Sequence, residues 1–364
     1  MRILHIITSL YTGGAERLMV DLLPLLRNDG DNRVELLLIN GVETPFKKKL
    51  IESGITVHAL SMTNDVYHPR NLIRMRRFLK HHQYDVIHTH NTACQLHVAV
   101  AKSLGATHAH LVTTEHNATN RRRSKWWLKW LDRWMYGRYE RIICIADQTR
   151  NNLEAHIGPQ EKICTIYNGV DISRFVRPIK DITGQQAFAL VMVSAFREQK
   201  DHDTVLRAML HLPDNYNLRF VGSGPRAMVA SVKARCAELG LEHRVEFMGV
   251  RQDVPEIMEQ SDFVVLSSHW EGLSLSSIEG MASGRPFVAS DVDGLREMVG
   301  GAGMLFEHEN DKDLAQKIQH LCERPEEYKK VAMRCQAKAK QYDISVMASK
   351  YLELYKSLLP IVAL

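Results

Sequence analysis

Two glutamates eight positions apart are the residues of this sequence best placed to do chemistry. They lie in the run Ser267-Ser268-His269-Trp270-Glu271-Gly272-Leu273-Ser274-Leu275-Ser276-Ser277-Ile278-Glu279. An apolar strand ends at Leu266, Glu271-Gly272 falls in a loop, and a helix is expected over about Ser274–Ser283. Gly284 then stops it as a left-handed cap. Leu275, Ile278, Met281 and Ala282 share the face that packs on a sheet, and Glu279 lies off that face. The start of such a helix offers free N–H groups and the positive end of its dipole, which suits a phosphate. Gly272 lets backbone approach a ligand closely. Carboxylates repel phosphate, so the natural partners of Glu271 and Glu279 are sugar hydroxyls beside it. Two solvated surface glutamates are the plainer alternative, and their neighbours disfavour it.

Other sets are less specific alone. Arg197 and Lys200 follow an apolar strand, and two cations at a strand's carboxyl end can neutralise a diphosphate leaving group; a solvated basic turn is the alternative. Gly222-Ser223-Gly224 is a weak nucleotide signal, and Gly13-Gly14 reads equally as a tight turn or as a loop facing phosphate or acceptor. His116 stands just past a strand, where it can hydrogen-bond a hydroxyl. His88 and His90 end a strand on one face and read as satisfied structural histidines; no metal set is assigned to them.

The elements that must position these residues alternate along the chain. Strands are expected at Ile3–Thr8, Val34–Ile39, Thr56–Leu60, Val86–His88, Leu111–Thr114 and Arg141–Ala146, with helices between most of them. A second series follows at Leu190–Val193, Leu218–Val221, Val245–Met248, Phe263–Leu266 and Phe287–Ala289. Alternation of this kind implies parallel sheets covered on both faces, in two doubly wound domains joined near Asn168–Gln186. Ligands then bind at strand carboxyl ends, in a cleft between the domains. A chain of 364 residues, 45% hydrophobic and 24% charged, fits two ordinary cores and excludes collagen-like, disordered and disulfide-scaffold classes. The net charge of +5 is too small to argue for nucleic acid. It is uneven: residues 1–173 hold 23 basic and 16 acidic residues, the remainder 24 and 26. Six scattered cysteines without C-x-x-C spacing fit a reducing cytoplasm. No apolar run reaches membrane-spanning length, and the first ten residues read as a strand rather than a signal peptide.

The run from Glu271 to Pro286 resembles the E-x7-E signature of retaining nucleotide-sugar glycosyltransferases of family four. Gly13-Gly14-Ala15-Glu16 is similar to that family's first glycine loop, and Tyr167–Asp171 with Phe175 to its interdomain segment. Val221–Pro225 and Phe247–Val250 are similar to its nucleotide-side loops. Order and spacing together carry the resemblance over essentially the whole chain. It implies an α/β GT-B architecture: two facing Rossmann-like doubly wound domains, 1–170 on the acceptor side and 185–344 binding the nucleotide sugar. The C-terminal helix, about 345–364, is expected to be able to pack back on the first.

The resemblance also implies roles. Arg197, Lys200, Glu271 and His116 are the catalytic set, His116 toward a donor hydroxyl. Many members place the Arg five positions before the Lys, where this chain has Ala195. Glu279 is assigned to ribose hydroxyls, with Gly272, Leu273, Ser274, Leu275, Gly222, Gly224 and Val250 completing donor binding and Gly13-Gly14 as the acceptor or phosphate loop. The implied reaction moves a sugar from a nucleotide diphosphate sugar, UDP favoured, to a hydroxyl of an acceptor glycan or lipid-linked glycan. An epimerase of the same fold and a non-catalytic binding module are the alternatives. No cofactor and no metal is expected, because the cations and the helix dipole can take a metal's place. Finally, Arg121–Arg141 interleaves eight basic residues with Trp126, Trp127, Trp130 and Trp134. Such a helix suits an anionic membrane surface, implying a cytoplasmic protein peripheral on the inner face of the membrane; core packing of the tryptophans is the alternative. In a mixed arrangement Trp130 and Trp134 face inward and Trp126 and Trp127 outward.

Overall fold

Residues 3 to 7 show why the sheets of this protein are covered on both faces. In the computed structural model, which describes residues 1–11, 13–116 and 128–360, Ile3 and Ile7 join one buried cluster while Leu4 and Ile6 join another. Successive side chains of a strand point to opposite faces, so a strand with apolar residues on both needs cover on both.

The chain divides into two units, Met1–Gly169 with Ile344–Leu364, and Val170–Asp343. The first begins β1 (Arg2–Ile7), α1 (Gly14–Asn28), β2 (Arg33–Asn40), α2 (Pro45–Glu52), β3 (Thr56–Ser61) and α3 (Pro69–His81). It continues β4 (Val86–His90), α4 (Thr92–Ser103), β5 (His110–Glu115), α5 (Leu128–Tyr136), β6 (Arg141–Cys144), α6 (Asp147–Ile157) and β7 (Ile163–Thr165). The second begins β8 (Phe188–Val193), α7 (His202–Met209), β9 (Tyr216–Val221), α8 (Arg226–Glu238), β10 (Val245–Gly249) and α9 (Val254–Glu259). It ends β11 (Phe263–Leu266), α10 (Leu275–Ala282), β12 (Phe287–Ser290), α11 (Asp293–Val299), β13 (Met304–Phe306), α12 (Asp311–Cys322) and α13 (Pro325–Ala339). The last helix, α14 (Ile344–Leu358), belongs to the first unit.

Among the described residues the first sheet has the order β3-β2-β1-β4-β5-β6-β7 and the second β10-β9-β8-β11-β12-β13, with parallel pairing throughout. Each is therefore doubly wound, with the strand order reversing between β1 and β4 in one and between β8 and β11 in the other. The short edge strands β7 and β13 are additions to the strands expected from the sequence; each is three residues long, too short to carry a periodic signal.

In the first unit, α14 and α1 cover one face. Met347, Tyr351, Leu352 and Tyr355 pack with Leu18, Met19, Leu22 and Leu26. Residues 170–187 belong to the second unit, where Ile172, Phe175 and Ile182 are buried and Val170 bridges to Asp343.

The basic, tryptophan-rich segment is corrected in part. On α5, Asp132, Met135 and Tyr136 form the buried face, and Asp132 pairs with His156 of α6 at 3.0 Å. Trp134 packs partly into the core, but Trp130 is 71% exposed, against the expectation that it faces inward. It sits two residues before Asp132, hence on the far side of the helix. Arg121, Trp126 and Trp127 lie outside the described residues.

Because α14 supplies core to a unit it rejoins only at the end of the chain, Leu352→Ala should destabilise the first unit by about 2–5 kcal/mol. Four of the five tryptophans belong to that unit, so urea unfolding followed by fluorescence reads it. An unchanged midpoint would show that α14 is dispensable.

Candidate functional site

The reversal of strand order in the second sheet opens a crevice between the loops that leave β8 and β11, and both carry candidate residues. The β8 loop runs through Arg197 into a turn of 3-10 helix, Glu198–Lys200. The β11 loop runs through Ser267 to Ser274, the N-cap of α10, whose hydroxyl accepts from the Ser277 amide at 3.3 Å. Lys200, expected only as a neighbour of diphosphate, forms an ion pair with Glu271, and both side chains are largely buried. The Ser268 hydroxyl donates to the same carboxylate oxygen at 2.7 Å.

Further bonds stitch the loops together. The Ser267 hydroxyl reaches the carbonyls of Lys200 and Asp201 at 3.0 and 2.6 Å. Gln199 donates its amide to the Trp270 carbonyl at 2.7 Å, and its own carbonyl accepts from the His269 amide at 2.8 Å. Ser290 at the end of β12 donates to the Ser268 carbonyl at 2.6 Å. Lys200 is thus held by backbone on one side and countercharge on the other, while Arg197 is exposed at the N-cap of the 3-10 turn.

The glycines divide into two kinds. A Cβ on Gly222, whose φ is +145°, would overlap the Ser194 carbonyl, and one on Gly224 would overlap that of Phe196. Their first requirement is therefore the packing of the β9 loop against the β8 loop. Gly294 of α11 meets the carbonyls of Glu271 and Gly272 in the same way. Gly272 itself has nothing within 4 Å of where a Cβ would stand. Among the described residues no contact demands glycine there, and the space is open to a ligand. Leu273, Leu275 and Glu279 are half-buried, and α10 buries Ile278, Met281 and Ala282 while Gly280 lies tight against Phe287 and Val264. Val250 is 74% exposed beyond β10, where Gly249 accepts from the Gly222 amide at 2.8 Å.

Sequence reasoning missed Ser267, Ser268, Gln199 and Gly294, whose role is to join loops distant in sequence. It also missed Asp201, at φ +45°, whose Oδ1 caps α7 through the Thr204 amide at 3.1 Å and whose Oδ2 is buried without a hydrogen-bond partner among the described residues. His202 stacks on Phe196 at 4.4 Å, and burial with nearby Lys200 pushes its pKa down to about 4. Asp-x-Asp tripeptides occur at Asp29, Asp201, Asp291 and Asp311; Asp29 and Asp31 are exposed in the turn after α1, while Asp203, Asp291, Asp293 and Asp311 each contact an arginine.

In the first unit, Gly13 is the N-cap of α1 in extended conformation and Gly14 its first residue, with open space where a Cβ would stand on Gly14. His116 follows β5 and its Nε2 lies 2.9 Å from His90 Nδ1; burial pushes its pKa down to about 4.

Comparison with known proteins agrees with both units. A model described as Glycosyltransferase Family 4 matches residues 12–174, and one described as Glycosyl transferases group 1 matches residues 187–324. The chain is 28% identical over 243 residues to the UDP-Gal:alpha-D-GlcNAc-diphosphoundecaprenol alpha-1,3-galactosyltransferase of Escherichia coli, a match spanning 62% of each chain. It is 24% identical over 315 residues to the putative glycosyltransferase EpsD of Bacillus subtilis, covering 80% of this chain and 82% of that one. The fold matches the crystal structure of Anabaena HepE in complex with UDP, at TM-score 0.82 and 24% identity, over 98% of this chain and 100% of the other.

Gly222→Ala should cost about 1–3 kcal/mol through strain at positive φ, with the overlap adding to it, whereas Gly272→Ala leaves stability unchanged. Thermal melting of the two variants checks this, and equal losses would contradict the division of the glycines. Acid sensitivity follows from the buried imidazoles. Burial pushes His5 down to about 3 and holds His116 and His202 at about 4, against 6.5 when unfolded. Below pH 6.5 the unfolded chain therefore binds more protons, and stability falls as pH drops toward 4, by roughly 1.4 kcal/mol per pH unit for each such histidine. A melting temperature flat across that window would show that these rings ionise freely in the folded state.

Proposed function

Because the chain belongs to the family-four glycosyltransferases, with the two family models together matching most of its length, we propose that it moves a sugar from a UDP-sugar to an acceptor hydroxyl with retention at the anomeric carbon. The observation that carries this reading is the Lys200–Glu271 pair at the strand-order reversal of the second sheet, beside the open face of Gly272 and the start of α10. Uridine as the base is supported by the UDP-Gal in the name of the Escherichia coli relative and by the UDP bound to Anabaena HepE.

The charges suggest how the residues divide the work. The bond from the anomeric carbon to the diphosphate oxygen breaks with its electron pair leaving on the diphosphate, and the ring takes oxocarbenium character; the acceptor oxygen bonds to the anomeric carbon on the face the diphosphate leaves, and its proton passes to the departing diphosphate oxygen. Negative charge grows on the leaving group, so Lys200 and Arg197 do more in the transition state than in the ground state. The amides of Gly272, Leu273, Ser274 and Leu275 add donors at the helix start. Glu271 turns its acceptor capacity to sugar hydroxyls, and Glu279 takes the ribose. The loops holding Gly222, Gly224 and Val250 border the base. His116 donates to a sugar hydroxyl, and Gly13-Gly14 faces acceptor or phosphate.

The acceptor in this reading is a lipid-linked glycan at an anionic membrane surface. Support comes from the exposed Trp130 and Leu131 of α5 beside Arg133, whose guanidinium lies 5.9 Å from the Trp130 ring centroid. Trp at headgroup depth with basic neighbours suits such a surface. Among the described residues no helix is long and apolar enough to cross a membrane.

Lys200→Ala should lower kcat more than it weakens UDP binding, while Glu279→Ala weakens UDP binding by about 1.5–3 kcal/mol, the worth of a hydrogen bond to a charged group. Calorimetry and a transfer assay separate the two, and equal effects of Lys200→Ala on both would reduce it to an anchor. Activity should persist in excess chelator; loss restored by manganese would contradict the metal-free reading. Sugar interconversion without an acceptor would indicate an epimerase. For the membrane reading, co-sedimentation with anionic vesicles should fall with salt and drop in Trp130→Ser/Arg133→Ser. Absence of binding at low salt would point to a soluble acceptor.

A further inference from the structure

Strand alternation puts His5 on the same face of the first sheet as Ile3 and Ile7, and pairing of His5 with His88 and of His90 with Thr114 extends one polar column across three strands. This is the face covered by α14, which lays Tyr351 and Tyr355, one turn apart, onto the column. Every member from His5 to Tyr355 is at most 1% exposed.

The contacts form one unbranched chain. The Tyr351 hydroxyl lies 3.1 Å from Thr114 Oγ1, which lies 2.7 Å from His88 Nε2. His88 Nδ1 lies 2.5 Å from the Tyr355 hydroxyl, which lies 3.4 Å from His5 Nε2. His5 Nδ1 is 3.0 Å from His90 Nε2, and His90 Nδ1 is 2.9 Å from His116 Nε2. Burial holds all four imidazoles neutral, so each has one N–H to give and one bare nitrogen to accept.

A chain of such groups has only two self-consistent orders. In one, Tyr351 donates to Thr114, Thr114 to His88, His88 to Tyr355, Tyr355 to His5, His5 to His90 and His90 to His116. Every donor up to His90 is used, and the proton of His116, which is partly exposed, stands on Nδ1. In the other, every bond is reversed, His116 donates inward from Nε2, and the buried Tyr351 O–H is left with no acceptor among the described residues. A buried donor without an acceptor is costly, so the first order is favoured by one buried hydrogen bond.

We propose that this chain is a one-way hydrogen-bond relay that holds His116 as its Nδ1–H tautomer, with Tyr355 of the C-terminal helix as the positioning residue that joins its two halves. His116 is thereby kept a hydrogen-bond donor toward a ligand oxygen. The consequence for turnover rests on the proposed role of His116 at the donor sugar; the tautomer itself does not.

The test is nitrogen-15 NMR of the ligand-free full chain with labelled histidine, the His116 signals being those lost in His116→Asn. A single Nδ1–H tautomer is expected in the native protein, and a mixture in Tyr355→Phe, where His5 Nε2 is unmatched in either order; Tyr351→Phe should keep the single tautomer, because the reversed order then orphans the buried Thr114 O–H instead. In the transfer assay Tyr355→Phe should lower kcat about three- to tenfold, the worth of one hydrogen bond, with UDP affinity unchanged. On a His116→Asn background, where the amide donates whatever the relay does, Tyr355→Phe should have no further effect. An Nε2–H or mixed tautomer in the native protein, or an unaltered tautomer in folded Tyr355→Phe, overturns the relay. So does stoichiometric metal in the purified protein, since His5, His88 and His90 are close enough to share an ion and ligation would consume the same nitrogens. Because the spectrum needs no substrate, failure of the relay and failure of the transferase reading are told apart.

Discussion

Parallel pairing is the constraint on which the rest of this molecule depends. When every strand of a sheet runs the same way, every carboxyl end comes to one edge, and each connection must return across a face as a helix. Function then has one natural address in each unit, the edge where the loops gather, and within it the point where the strand order reverses. In the second unit that point lies between β8 and β11, and the residues with the most chemistry stand there on two loops separated by the sequence from Lys200 to Glu271.

What those loops hold is a problem in charge. A largely buried ammonium needs an anion, and Glu271 supplies it. The pair is fixed by neutral groups: serine hydroxyls, a glutamine amide and main-chain carbonyls, with Gly222, Gly224 and Gly294 allowing backbone to touch backbone. In the proposed reaction, diphosphate replaces Glu271 as the anionic partner of Lys200, an exchange that needs little reorganisation. Preorganised charge of this kind separates a binding loop from a catalytic one.

The first unit solves a different problem. Its sheet carries polar rings where an apolar residue would be simpler, and each is satisfied by the next rather than by water. The covering helix comes from the far end of the chain, so the core that holds His116 is complete only when α14 has docked. Packing and hydrogen bonding are joined there: Tyr351 and Tyr355 fill space and close the polar column.

Much of this was legible in residue order. Apolar strands, amphipathic helices and the turn residues between them are local signals, and they sufficed for two doubly wound series and for placing Glu271 in a loop and Glu279 on a helix. Pairing partners were not legible. Nothing near Lys200 names Glu271, nothing near His116 names Tyr351, and the glycines of the β9 loop read as a nucleotide signal although neighbouring carbonyls already require them. The orientation of Trp130 was misjudged because a helix with apolar residues on several sides does not declare its buried face until Asp132, Met135 and Tyr136 have met their partners. Periodicity is a property of a few consecutive residues and survives in the sequence; contact between residues a hundred positions apart depends on strand order and register, which only the folded sheets decide.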